Sequence, residues 1–368
     1  MEGIKRFIDV IITTKSCNFK CHYCYISQLD NFENEIMTLS RTPLEIRNAL
    51  SKERLGGTCL FNVCAGGETL LSPDVLRVVA ELLKEGHFVM IVTNGSISKR
   101  FEEIRDNFSH DMKKRLFIKF SFHYLELMRL GIINNFFSNI RMMYDNGVSF
   151  TLELTTCDEL IPRIDELKRV CMENIGALPH ITIARDDRTY RTKHLSSLSF
   201  EEYTKVWQVF DSELFNFKAS IFYQRRKEFC YAGDYVAYLN LTTGDLYPCH
   251  GSSKKICNIF DDTVTFKAIG RCPLSHCYNG HAWLSFGAIP ELVTPYYREL
   301  RDRVDLDGRH WLQPDVLNFF STKTSENNEK YDDKTKRDIL AKNFFDIKWH
   351  MVKRAGSIAL RKLSWLKK

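Results

Sequence analysis

A chain of 368 residues, 44% hydrophobic and 27% charged, can bury a sizeable core without crosslinks, as two domains or one large α/β domain with an appendage. No stretch reaches the ~18 consecutive apolar residues of a membrane span. The formal charge of +6 is unevenly spread: residues 334–368 hold eleven Lys/Arg against Asp338 and Asp346, a net +9 that leaves the rest at −3.

In chain order, Phe7–Thr13 is an apolar run broken by Asp9. With no small-residue cleavage site after it, it reads as a strand rather than a signal peptide, so a cytoplasmic location is expected. Further β-branched runs follow at Thr58–Cys64, His87–Val92, Leu116–Phe122, Val148–Thr155 and His180–Ala184. Helical patterns separate them near 42–54, 73–85, 97–108, 124–146 and 158–174, with a sixth near 199–212. Thr42-Pro43 and Ser72-Pro73 read as helix starts, and Gly86 and Gly147 as helix stops. Six successive βα units imply a parallel sheet with helices outside, either open and doubly wound or a partial barrel.

After residue 212 the rhythm changes. Tyr235–Leu241 and Leu246-Tyr247 flank Thr242-Thr243-Gly244-Asp245, which predicts a β-hairpin. Residues 321–336 are polar and charge-rich, the composition of a loop or linker. The tail from 334 places Leu340, Phe344, Ile347, Met351 and Ile358 on one helical face ringed by basic residues. With Trp349 and Trp365 it suits an anionic membrane surface, or packs on the body or a partner. A nucleic-acid partner is not expected, because charge alone would support it.

Twelve cysteines in a reducing compartment point to metal binding or catalysis more than to disulfides. Three crowd into Cys17-Asn18-Phe19-Lys20-Cys21-His22-Tyr23-Cys24, and five lie between 230 and 277. Three thiolates in eight residues can wrap an iron–sulfur cube and leave one iron with an open coordination position. A zinc knuckle is the alternative. The loop follows the first strand, at the end of a parallel sheet where α/β enzymes place chemistry.

Cys17-x3-Cys21-x2-Cys24, with Tyr23 before the last cysteine, resembles the motif of the radical S-adenosylmethionine (SAM) superfamily. Gly66-Gly67-Glu68 after the second strand and Thr93-Asn94-Gly95 after the third resemble that family's Gly-Gly-Glu and Thr-Asn-Gly turns. Ser121 and His123 at the end of strand four and Glu153 on strand five fall where the family approaches the SAM ribose and carboxylate. The resemblance covers residues 7–190. It implies a partial (β/α)6 TIM-like barrel over 1–215, with a [4Fe–4S] cluster on Cys17, Cys21 and Cys24 and SAM chelating the open iron. Tyr23, Gly66, Gly67, Glu68, Asn94, Ser121, His123 and Glu153 would be the SAM contacts. Reductive cleavage of SAM would give a 5′-deoxyadenosyl radical that abstracts hydrogen, with a reductant such as flavodoxin or ferredoxin. Thr69 departs from the proline that often follows the glutamate.

Cys230-x13-Gly244-x4-Cys249 resembles the opening of the SPASM and twitch extensions found behind many radical SAM barrels. The resemblance implies a small cysteine-rich hairpin and helix domain over 216–290, with one auxiliary [4Fe–4S] cluster on Cys230, Cys249, Cys272 and Cys277. A basic helical extension would follow over 291–368. Cys257 and His250 are rival ligands, and a zinc ribbon is the alternative. Family relatives act on peptides, protein side chains, and sugars or aminoglycosides. A peptide or protein side chain is the favoured substrate class, although no separate leader-binding domain is seen before the barrel. A non-catalytic metal-binding interaction module is the reading from another class. Arg185 past strand six and Cys157 past strand five are candidate catalytic residues at the barrel mouth, a base and a hydrogen donor. Cys64 has a similar claim, whereas Cys59 and Cys171 read as small core residues.

Overall fold

The computed structural model describes residues 3–36, 38–189, 191–277, 280–343 and 352. Six parallel strands form in chain order: β1 (Arg6–Ile12), β2 (Cys59–Ala65), β3 (Phe88–Thr93), β4 (Leu116–Phe122), β5 (Ser149–Thr155) and β6 (His180–Thr182). Helices lie between them, and the sheet curves as a partial α/β barrel rather than closing. A short antiparallel pair, β7 (Arg185–Asp186) and β8 (Lys193–His194), stands apart from it.

The expected helix at 42–54 is two helices, Pro43–Ala49 and Lys52–Leu55, because Ser51 caps a fresh start by accepting a hydrogen bond from the Arg54 amide. Likewise 124–146 divides into Tyr124–Arg129 and Ile133–Asp145 around Gly131 at φ 67°. Glu213–Ile221, which the sequence pattern did not mark, is a further helix.

Strand β9 (Val236–Asn240) pairs in parallel with β1, and β10 (Asp245–Tyr247) and β11 (Cys257–Asn258) continue the same sheet antiparallel. The hairpin is therefore an extension of the barrel sheet. The polar stretch 321–336, expected as a linker, is tied to the body. Asn328 Nδ2 donates to the Lys5 carbonyl at 2.8 Å, the Tyr331 hydroxyl donates to Asp234, and Thr324 is fully buried. Its polar side chains satisfy backbone groups at the barrel floor, a use that composition does not reveal.

Strand alternation sorts the side chains. Outward residues such as Val10, Val63, Ile91, Phe120 and Leu152 pack beneath the helices. Inward residues Phe7, Leu60, Phe88 and Phe117 meet Phe286, Tyr297, Phe319 and Phe320 of the C-terminal segment, which plugs the floor. Towards the C-terminal ends of the strands, the inward face turns polar with Asp9, Asn62, Lys119, Thr151 and Glu153. Residues 333–343 are helical and dock on the body, with Ile339 buried and Asn343 Nδ2 donating to the Ile269 carbonyl at 2.8 Å. Leu340, the first residue of the expected apolar face, is exposed; Phe344, Ile347, Met351 and Ile358, and both tryptophans of the tail, lie outside the described residues.

Candidate active site

The loop after β1 is held by the loop after β2. The amides of Gly66, Gly67 and Glu68 donate to the carbonyls of Ile12, Thr14 and Ser16 at 2.8–3.0 Å, prolonging the ladder past the strand ends. Glycine is required there: a Cβ on Gly67 would lie 1.9 Å from the Ser16 oxygen, and one on Gly66 2.6 Å from that of Thr14. The paired glycines thus let the backbone beside the cysteine loop approach closely.

One pocket collects Cys17, Cys21 and Cys24 with Gly66, Gly67, Glu68, Asn94, Ser121 and His123. Residues from four successive strand ends meet in it. Glu68 is buried and its carboxylate accepts from the Leu70 amide (2.9 Å), the Thr93 hydroxyl (2.6 Å) and the Asn94 amide (2.7 Å). A carboxylate accepts about four hydrogen bonds, so roughly one site remains for a ligand. Desolvation raises its pKa and these three donors oppose the rise. Asn94 Nδ2 donates to Asn18 Oδ1 at 2.8 Å, joining the Thr-Asn-Gly turn to the cysteine loop.

Two expected SAM contacts stand elsewhere. Tyr23 does not line the pocket; its hydroxyl shares a 2.8 Å hydrogen bond with Nδ1 of His123, which does. Burial pushes His123 down to about 4, so its ring is neutral at pH 7. Glu153, level with Ser121 in the β4–β5 register, is also absent from the lining. Its oxygens are held by Lys119 Nζ at 3.1 Å and Arg301 Nη1 at 2.5 Å. Burial alone would raise its pKa, but the Lys119, Arg301 and Lys218 charges hold it well below the usual carboxylate range.

Cys24 is close enough to raise the pKa of both Cys17 and Cys21. Burial, the larger cause, pushes Cys17 up to about 11 and Cys21 higher still. Bare thiolates are unstable in such a setting, whereas a multivalent metal cluster would make them stable ligands. Three converging sulfurs with no fourth in the loop fit an iron–sulfur cube with one open iron.

A second pocket gathers Cys230, Cys249, Cys272 and Cys277 among Ile269, Leu274, Trp283, Leu284 and Ile289. Cys230 and Cys277 are half-buried, and their pKa values are raised by desolvation first, then by the other thiols of the group. Gly280 makes room, since a Cβ there would meet the Cys277 sulfur at 2.1 Å. Four sulfurs in an apolar pocket fit a closed metal or cluster site with four thiolate ligands. Cys257 does not join them. It sits opposite Leu246 on β11, its thiol directed to the Thr265 carbonyl at 3.6 Å. His250 lines this pocket, but its Nε2 pairs with Asp9 Oδ2 at 2.7 Å.

Of the catalytic candidates, Cys157 is buried in the outer core, near His22 and Glu159, rather than at the pocket. Cys157 lies two residues past the end of β5, at the start of the turn Asp158–Arg163, where the chain has already left the strand. Cys64, inward on β2, does line the pocket, with its thiol directed to the Val10 carbonyl at 3.4 Å. Arg185 is near enough to influence Cys24 and Lys218, and its backbone carbonyl accepts from Gln28 Nε2 at 2.8 Å. Sequence reading missed the Asp9–His250 pair and the basic group Lys119, Lys218 and Arg301. Asp9 and Lys119 interrupt apolar strands at inward positions, a signal available in the sequence. Lys218 and Arg301 come from helices outside the βα repeat and gave none.

Fold and site together define a partial α/β barrel with a three-thiol loop at the C-terminal end of its sheet. Residues 11–156 match the model of the radical SAM superfamily. A Methanocaldococcus jannaschii protein named as a putative glycyl-radical enzyme activating enzyme is 24% identical over 168 residues, 44% of this chain and 59% of the relative. The fold is similar to Streptococcus suis SuiB bound to S-adenosylmethionine, with TM-score 0.50 and 14% identity over 70% of this chain and 64% of that one. It is also similar to anSMEcpe with bound AdoMet, with TM-score 0.51 and 15% identity over 70% and 76%. The chain thus spans less than two thirds of the archaeal relative and of SuiB. No helix among the described residues is long and apolar enough to cross a membrane.

Proposed function

We propose that the protein is a radical SAM enzyme that abstracts hydrogen from a peptide or protein side chain. The observation that carries this reading is the single pocket in which three thiols, the Gly-Gly-Glu turn, Asn94, Ser121 and His123 meet. Cys17, Cys21 and Cys24 would hold a [4Fe–4S] cluster, and Cys230, Cys249, Cys272 and Cys277 an auxiliary one. When bound, the clusters would supply one electron to the SAM sulfonium at the first site and accept one from the substrate side at the second. The one remaining acceptor position of Glu68, with nearby backbone carbonyls, would receive the SAM ammonium. Ser121 and the neutral His123 ring would orient its polar groups. The apolar lining by Phe19 and Ile26 would keep water from the reacting atoms.

Two relatives are described as binding SAM, and the archaeal one is named for activating another enzyme, which supports a polypeptide substrate. A small reducing protein such as flavodoxin or ferredoxin would be the electron donor, in a reducing cytoplasm. A sugar or aminoglycoside-type substrate is the second reading, favoured by the polar inward face around Asp9, Asn62 and Lys119.

The test is anaerobic reconstitution with iron and sulfide, reduction with dithionite and measurement of 5′-deoxyadenosine. Alanine at Cys17, Cys21 and Cys24 together is expected to abolish it. Undiminished SAM breakdown in that variant, or a wild type that binds zinc and leaves SAM intact, would sink the reading. Transfer of deuterium from labelled peptides or labelled sugars into deoxyadenosine separates the two substrate classes.

A further inference from the structure

Below the pocket, the inward face of the barrel carries a concentration of positive charge that the SAM contacts do not use. Lys119 comes from β4, and Lys218, His281 and Arg301 come from three helices outside the βα repeat: Glu213–Ile221, His281–Ser285 and Tyr297–Arg301. All four surround Glu153. Lys119 and Arg301 bond its two oxygens, Arg301 Nη2 lies 2.7 Å from His281 Nε2, and Lys218 donates to the Thr182 hydroxyl. The other inward carboxylate, Asp9, is held by His250 and Asn62 at 2.7 Å each. Three basic side chains thus share one carboxylate.

Burial gives that imbalance its weight. Lys218 and Arg301 are 5% and 1% exposed, and an uncompensated buried charge is costly. Unused donors and acceptors mark the same place. Arg301 Nε, His281 Nδ1 and the hydroxyl of Thr151, which is level with Lys119, are buried without a hydrogen-bond partner among the described residues. Each lysine makes one hydrogen bond to a described residue where an ammonium can make three. Lys119 retains 17% side-chain exposure, so solvent reaches the group. Burial also pushes Lys218 down to about 7, with Lys119, Arg185 and Arg301 adding to the fall and Glu153 opposing it. A nearby anion would reverse that shift.

We infer that this basic group binds an anionic oxyacid group of the substrate, a carboxylate or a phosphate, and so orients the substrate against the SAM pocket. The inference rests on the enzymatic reading above and narrows its substrate class to molecules with such a group.

The test uses the full reconstituted chain with saturating SAM. Thermal unfolding is followed with inorganic phosphate, with glutarate and with chloride at equal ionic strength. A bound ligand raises the midpoint in proportion to the logarithm of its saturation. At least one oxyanion is expected to raise the midpoint above the chloride control. Lys218→Met and, separately, Lys119→Gln are expected to weaken its apparent affinity at least tenfold. Lys119 is partly exposed, so its variant remains informative should Lys218→Met fail to fold. A response to phosphate alone assigns a phosphorylated substrate; a response to glutarate alone assigns a carboxylate. The inference is overturned by a midpoint no higher than in chloride, or by a response unchanged in the variants. It is equally overturned if the response occurs without SAM and vanishes when SAM saturates, which would assign the group to the carboxylate of SAM itself. Uncoupled deoxyadenosine formation, measured in parallel, reports on the enzymatic reading independently.

Discussion

Single residues at this site are governed by desolvation, and Lys218 shows the consequence most directly. In the unfolded chain a lysine titrates near 10.4, whereas burial brings Lys218 to about 7 in the folded protein. Between those values the unfolded state binds more protons, so this residue makes stability rise with pH, and below about 7 its charge is held at a cost. The urea midpoint of wild type relative to Lys218→Met is therefore expected to climb between about pH 7 and 10. Comparison with the variant removes the opposite contribution of the buried thiols, whose pKa values are raised. An identical pH dependence in both proteins would show that Lys218 is not desolvated.

At the scale of elements, the β-hairpin decides which cysteines can meet. The β10–β11 ladder pairs Leu246 with Cys257 and keeps that thiol out of the pocket that Cys249 enters. Two [4Fe–4S] cubes would give about eight irons per chain. Cys249→Ala is expected to lower the iron content towards about four, while Cys257→Ala leaves it unchanged; iron analysis of both variants checks this. The opposite ranking would place Cys257 in the ligand set. The hairpin itself is legible in Thr242-Thr243-Gly244-Asp245, with Gly244 at φ 78°. Its parallel pairing with β1 is not, because strand order depends on contacts more than two hundred residues apart.

For the whole molecule, the C-terminal segment does more than extend the barrel. It plugs the floor and delivers His281 and Arg301 into the interior. Phe319 stacks on Phe88 with ring centroids 3.8 Å apart and is buried. Phe319→Ala is expected to cost about 3–5 kcal/mol, the usual range for a buried aromatic truncated to alanine, read as a lower urea midpoint. A loss below about 1 kcal/mol would mean that the plug contributes little to the fold.

The sequence by itself determined the six-strand rhythm, the three-thiol loop and the order of turns after successive strands. All of these are local: a strand phase, a glycine pair and a cysteine spacing act within a few residues. It also carried Asp9 and Lys119 as polar breaks in apolar strands, although only a known inward face gives them meaning. The tertiary structure decided that Tyr23 supports His123, that Cys64 rather than Cys157 faces the pocket, and that Glu153 lies inside a basic group. Those outcomes depend on which side chains distant segments bring together. Burial there fixes charge and hydrogen bonding, and neither is written in the spacing of any one segment.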